Sequence, residues 1–234
     1  MEISAKKVWK TLDQVYDRIV TVILVLILLI VMYCIYDNYW VYSHTLDDSL
    51  LRYKPTAAGY DPDESPITED MVAWLTIDDT NIDYPVMQSR DNIKYLNTDP
   101  YGEYSLSGSI FLDSRNSADF SDEYSLIYGH HMEYGKMFGA LDEFLNEGYL
   151  REHSRGELII GRDGHEIYEL EVFASMRASA HDDVFNVKCK NIRDVIETEA
   201  AVRTGEPDGR IIALTTCADG DTVSRVVVFC VIKE

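Results

Sequence analysis

Apolar and polar positions divide the chain into two unlike parts. Ile19 to Tyr36 reads IVTVILVLILLIVMYCIY, with no charged residue. As a helix, at about 1.5 Å per residue, this run is about 27 Å long, close to the hydrocarbon thickness of a bilayer. Lys6, Lys7, Lys10 and Arg18 precede it, and Asp37, Asp47 and Asp48 follow it. That asymmetry predicts a single-pass anchor with a cytoplasmic N-terminus and the rest of the chain outside the cell. Tyr36, Tyr39, Trp40 and Tyr42 fit an interfacial aromatic belt. A cleaved signal peptide would have a shorter apolar core and a small-residue cleavage site, and neither is present. A buried core helix would rarely be so uniformly apolar.

After the anchor the pattern changes period. Residues 37–70 are polar, carry Pro55, Gly59, Pro62 and Pro66, and read as an extracellular stalk with a short helix near Leu46–Tyr53. From Met71 onward, short apolar runs alternate with turn residues, as in a barrel or sandwich. Strands are predicted at Val72–Ile77, Ile82–Met87, Ser109–Asp113, Ser125–Tyr128, Glu157–Gly161, Glu166–Met176, Arg210–Thr216 and Arg225–Ile232. Helical periodicity interrupts them at Asp91–Asn97, Met137–Asn146 and Ile192–Val202. The fold expected is mainly β: an eight-stranded, largely antiparallel barrel with peripheral helices. The domains expected are a tail (1–18), an anchor (19–36), a stalk (37–70) and a catalytic domain (71–234). The last strand, VVVFCVI, is apolar on both faces, so it should be central, with Cys230 a buried small hydrophobe.

Charge and cysteine usage narrow the function. The net charge of −20 argues against a nucleic-acid partner, which needs a basic face. Of four cysteines, Cys34 lies in the apolar span. Cys189, Cys217 and Cys230 would be outside, and an odd number leaves at least one free thiol unless it pairs between chains. A free thiol held outside the cell needs a reason, and catalysis is one.

Two segments carry candidate chemistry. In IIALTTCADGDTVSRVVVF a β-branched strand runs into Cys217, and after a loop Arg225 opens the next strand. If those strands pair, a guanidinium lies beside the thiol, where it can hold a substrate carbonyl or a developing oxyanion. A buried cysteine with Arg225 ion-paired to Asp219 or Asp221 is the competing reading. In SLIYGHHMEYGKMFGAL, His130 follows Gly129 at the end of a short apolar strand. Adjacent strand residues face opposite ways, so His130 and His131 do not make a metal pair. Met132 and Met137 are read as packing residues. No EF-hand spacing is present.

Together these pieces resemble the sortase family. Leu214-Thr215-Thr216-Cys217 matches its TLxTC strand-end motif, with Ala213 where the motif usually has threonine, a change expected to alter local packing and not the chemistry. Arg225 matches the arginine of the following strand, and His130 the histidine after the fourth strand. Tyr128-Gly129-His130-His131-Met132 with Gly135-Lys136-Met137-Phe138-Gly139 resembles class B. So do Tyr84-Pro85-Val86-Met87-Gln88, Asp91-Asn92, Tyr95-Leu96-Asn97, Gly108-Ser109-Ile110-Phe111, Asp113 and Arg115-Asn116, and a helix-bearing insertion over 178–208.

The resemblance implies a cysteine transpeptidase with Cys217, His130 and Arg225 as catalytic residues. Its substrates would be exported proteins with a C-terminal sorting motif. The acceptor would be an amine on peptidoglycan, a lipid-linked precursor or another protein. Asn92, Leu96, Thr215 and Thr216 would border the substrate groove, although Asn92 as a helix cap and Leu96 as core fit the residues equally. No metal or organic cofactor is implied. Two other readings stay open: a hydrolase with the same site, and a catalytically inactive, membrane-tethered binding module for envelope proteins. An L,D-transpeptidase would place its histidine close upstream of the cysteine in an SxGC-like motif, which is absent.

Overall fold

The computed structural model describes residues 2–44, 48–206, 208–216 and 224–233. The chain forms two compact units, Met1–His44 and Thr45–Glu234. The first is one helix, α1 (Glu2–His44). Its stretch Lys7–Asp37 holds an 18-residue window of mean hydropathy 3.1 and is long and apolar enough to cross a membrane.

The second unit contains the eight predicted strands, with ends shifted by a few residues. They are β1 (Met71–Ile77), β2 (Asp83–Met87), β3 (Ile110–Leu112), β4 (Tyr124–Gly129), β5 (Arg155–Ile160) and β6 (Glu166–Ser179), followed after the insertion by Ile211–Thr216 and Ser224–Lys233. One two-residue strand, β7 (Val202–Arg203), comes before the last two, which are therefore β8 and β9. The order β5-β1-β2-β3-β4-β8-β9-β6 closes on itself because β5 also pairs with β6, and β7 adds on to β6. Six of the eight pairings around the barrel are antiparallel, and β2–β3 and β4–β8 are parallel. Two short α-helices accompany the barrel, α2 (Glu147–Glu152) before β5 and α3 (Ile192–Glu199) in the insertion.

The period-two pattern decides what each face meets. On β8 and β9, Ile212, Leu214, Val226, Val228 and Cys230 join one buried cluster, which includes Phe138, Leu141 and Phe144. Ile211, Ala213, Val227, Phe229 and Val231 join another, with Ile192 and Ile196 of α3. Both faces of β9 are thus covered, as its unbroken apolar run implied, and Cys230 is fully buried.

The helical segments are shorter than their periodicity suggested. Asp91–Asn97 yields one 3-10 turn, Lys94–Leu96. Met137–Asn146 is a 3-10 helix over Gly139–Leu145. Met137 before it sits at φ +50°, outside helical space. The helix predicted to Val202 stops at Glu199 because Val202 and Arg203 pair with Ser175 and Ala174 of β6. A β-branched residue gains more from that edge than from another helical turn.

Residues 48–67 pack within the barrel unit. Lys54 Nζ donates to Thr76 Oγ1 (2.7 Å) and Asp83 Oδ1 (3.0 Å), and Asp83 Oδ1 also accepts from Trp74 Nε1 (2.6 Å). Arg162 Nη2 donates to the carbonyls of Pro62 and Ile67, and Tyr60 Oη to that of Arg162. Ile67 is buried.

One glycine shapes the site directly. A Cβ on Gly129 would run into the Ile110 side chain and lie 2.8 Å from Phe138 Cδ2. Gly129→Ala should therefore cost about 1–3 kcal/mol of stability through overpacking. Denaturant unfolding of the full chain in detergent micelles would measure it, and an unchanged midpoint would show that Phe138 yields freely.

Candidate active site

Strands β4 and β8 run parallel in register, from Tyr124 opposite Ile211 to Gly129 opposite Thr216. Parallel neighbours about 4.8 Å apart finish at the same rim. His130 is the next residue after Gly129. Strand β9, antiparallel to β8, starts at that rim, with Val227 opposite Thr215 and Arg225 two residues earlier. Cys217, the predicted nucleophile, lies outside the described residues.

Alternation gives the facing. Tyr128, Ala213 and Val227 share one buried cluster, so period two puts His130 and Arg225 on that same side. The Arg225 side chain agrees: its Cζ is 4.9 Å from the ring centroid of Phe185, which packs on that cluster. Arg225 Nε is buried and has no hydrogen-bond partner among the described residues. His130 is half-buried, and its carbonyl accepts from Phe138 N (3.0 Å). His131 is occupied elsewhere, with its Nε2 2.9 Å from Asp142 Oδ2.

Of the other predicted residues, Thr215 and Thr216 end β8, while Asn92 and Leu96 lie in the β2–β3 connection. Thr215 is buried and donates from Oγ1 to the Val226 carbonyl (3.2 Å). Thr216 is buried at the strand end. Leu96 is half-buried against the Tyr128 cluster. Asn92 uses its carboxamide within the fold: Oδ1 accepts from Ser114 N (2.8 Å) and Nδ2 donates to Asp113 Oδ2 (2.9 Å).

That last contact leads to a buried carboxylate. Asp113, just past β3, has 0% exposure. Its oxygens accept from Arg115 Nε (2.8 Å), Arg115 Nη2 (2.7 Å), Tyr128 Oη (3.1 Å) and Asn92 Nδ2. Burial alone would push the carboxyl up, but the hydrogen bonds and charge of Arg115 outweigh it and hold Asp113 below the usual carboxylate range. Burial, followed by the Asp113 charge, pushes the Tyr128 phenol well above its ordinary value, so Tyr128 stays a neutral donor. Arg115 Nη2 also reaches the carbonyl of Phe185 (3.3 Å).

In the sequence, Asp113, Arg115 and Tyr128 stand only as points of likeness, with no task attached. The available signal was a charged pair two residues apart at the exit of an apolar strand. Nothing in the sequence singles out Phe185, whose contact with Arg225 depends on how the insertion folds back.

Comparison with known proteins converges with this geometry. The family model for the sortase domain matches residues 75–233. Sortase B of Listeria monocytogenes is 43% identical over 112 residues, 48% of this chain, and the matched stretch spans less than half (44%) of that protein. Sortase B of Staphylococcus aureus is 30% identical over 176 residues, covering 69% of this chain and 70% of that one. Among solved structures, a Streptococcus pyogenes class B sortase involved in pilus biogenesis superposes with TM-score 0.65 at 33% identity, over 80% of this chain and 97% of that chain. A Staphylococcus aureus sortase B–substrate complex gives TM-score 0.66 at 27% identity, over 72% and 82%. With the closed barrel, the strand-end histidine and arginine and these matches in agreement, the chain belongs to the sortase family, among its class B members.

Proposed function

We propose that the chain is a membrane-anchored cysteine transpeptidase that joins exported proteins carrying a sorting motif to an amine, with Cys217, His130 and Arg225 as its catalytic residues. The observation that carries this reading is the in-register parallel pairing of β4 and β8. His130 and Cys217 are each one residue past a paired position. Consecutive Cα atoms are about 3.8 Å apart, so neither can stray far from the Gly129–Thr216 pair.

The Cys217 thiolate attacks the carbonyl carbon of the scissile peptide. The oxygen takes the negative charge, and Arg225 holds it. When the tetrahedral species collapses, the C–N bond breaks, His130 gives its proton to the departing amine and a thioester remains. An acceptor amine then attacks the thioester and gives up a proton to His130, and the sulfur leaves as thiolate, which gives an amide product and restores the starting thiolate–imidazolium pair. The thioester keeps the acyl group activated, so the transfer needs no nucleotide outside the cell. The Staphylococcus aureus sortase B–substrate complex and a sortase B solved with triglycine support a peptide donor and a glycine-type amine acceptor here. The apolar stretch of α1 supports a membrane tether, and the flanking charges support a cytoplasmic N-terminus. Asn92, Leu96, Thr215 and Thr216 are proposed to border the peptide groove.

The full chain in detergent micelles, given sorting-motif peptides, should show a thioester adduct by intact-mass spectrometry. The adduct should be absent in Cys217→Ala and should convert to amide when triglycine is added. Decay only to free acid would make the protein a hydrolase. No adduct with any peptide would favour the binding-module reading.

The pH profile offers a second check. Reference pKa values near 8.5 for a thiol and 6.5 for imidazole leave roughly 1% of molecules with thiolate and imidazolium together at pH 7.5. The thiolate fraction rises with pH and the imidazolium fraction falls. The kcat/KM profile should therefore be a bell, falling on the acid side as thiolate is lost and on the basic side as imidazolium is lost. Thiolate absorbance, taken as wild type minus Cys217→Ala, reads the ionisation of that thiol directly. A midpoint below about 5 would mean that the pair is strongly coupled and the competent fraction large.

A further inference from the structure

Arg225 is held from the side by an aromatic ring whose own position traces back to a buried charge. Its Cζ lies 4.9 Å from the Phe185 ring centroid, within the range of a cation–π contact. Phe185 sits in a single 3-10 turn, Asp183–Phe185, inside the insertion between β6 and β8. A turn that short has little rigidity of its own, so outside contacts must fix the ring. Two do so, one on each side of the Phe185 Cα. Tyr124 Oη donates to the Val184 carbonyl (2.7 Å) and Arg115 Nη2 to the Phe185 carbonyl (3.3 Å). Arg115 is in turn locked by its two-pronged pair with fully buried Asp113.

We propose that Asp113 and Arg115 are positioning residues for Arg225, acting through Phe185. The carboxylate fixes Arg115, Arg115 fixes the backbone at Phe185, and the ring face orients the guanidinium toward the rim where β4 and β8 end. Both bonds of the Asp113–Arg115 fork are needed to set the plane of Arg115, so a lysine cannot reproduce it. A bare structural role for Asp113 would not need Arg115 to reach across to the insertion. A guanidinium turned away from the rim leaves the oxyanion less stabilised, which is a kcat effect. Peptide affinity is set by the groove and should change little.

This inference rests on the reading of Arg225 as catalytic, and the test separates the two. The full chain in detergent micelles would be assayed for peptide-to-triglycine transfer as wild type, Phe185→Leu, Phe185→Tyr, Arg115→Lys, Arg225→Lys and the double variant Phe185→Leu/Arg115→Lys, with a thermal melt of each. Leucine keeps the apolar bulk and the backbone carbonyl but removes the π face. Arg115→Lys keeps a cation beside Asp113, so the fold is retained. Phe185→Leu should lower kcat by about 3- to 30-fold, the range a partly desolvated cation–π contact carries, with KM within about twofold of wild type. Phe185→Tyr should restore wild-type kcat. Arg115→Lys should also lower kcat, and the double variant should lose no more than the worse single one, because both act on one chain of contacts. Additive losses, an effect confined to KM, or tyrosine as poor as leucine would overturn the proposal. Loss of kcat in Arg225→Lys with no loss in Phe185→Leu would overturn the positioning role alone. Full activity in Arg225→Lys would overturn it together with the catalytic reading of Arg225.

Discussion

The parallel pairing of β4 with β8 is the constraint from which the site follows. In an antiparallel pair the two chains would leave opposite ends of the ladder, and a histidine after one strand could not meet a residue after the other. Parallel strands in register end side by side. Such a pair needs a long crossover, and here the chain from β4 to β8 passes through α2, β5, β6 and the insertion. The barrel is closed by that excursion, so the register of the site and the closure of the core are set together. Gly129 tightens the arrangement: its missing side chain lets Phe138 and Ile110 come up against the end of β4.

A second ordering device is electrostatic. The chain is strongly acidic, yet the carboxylate it buries completely near the site, Asp113, is met by a guanidinium, a phenol and a carboxamide at once. A buried charge left short of partners would be costly. One satisfied on every side becomes a rigid node, and Asn92, Arg115 and Tyr128 are each tied to it. Those three come from the β2–β3 connection, the exit of β3 and the end of β4, so the node joins the segments that approach the rim from one flank.

Much of this was legible in the sequence because period and punctuation carried it. All eight barrel strands are in place, since each is a short apolar run between turn residues. The double-sided burial of β9 could be read from VVVFCVI. The helices were less legible. Lys94–Leu96 and Gly139–Leu145 have the apolar spacing of α-helices but tighten into 3-10 turns, and Val202 leaves its helix for the edge of β6. Tertiary contacts decide such cases, and spacing does not record them. Within the proposed site, His130 and Arg225 stand out in the sequence because each lies at a strand boundary beside a recognisable motif. The Asp113 node and Phe185 could not, because the link between them is a contact across 70 positions of sequence.

The settings of the cysteines have a practical consequence for chemical labelling. Cys230 is sealed in the core, and burial pushes its thiol up to about 12, so it is neither ionised nor reachable in the folded protein. Cys34 lies within the apolar stretch of α1, and a membrane around that stretch would keep charged, water-borne electrophiles from it. Outside that stretch, Cys189, half-exposed in the insertion, is the one described thiol open to such a reagent. Replacing it with serine removes a side chain that takes no part in the proposed chemistry. Without it, no described thiol outside the apolar stretch is open to such a reagent, so any label taken up would report on position 217.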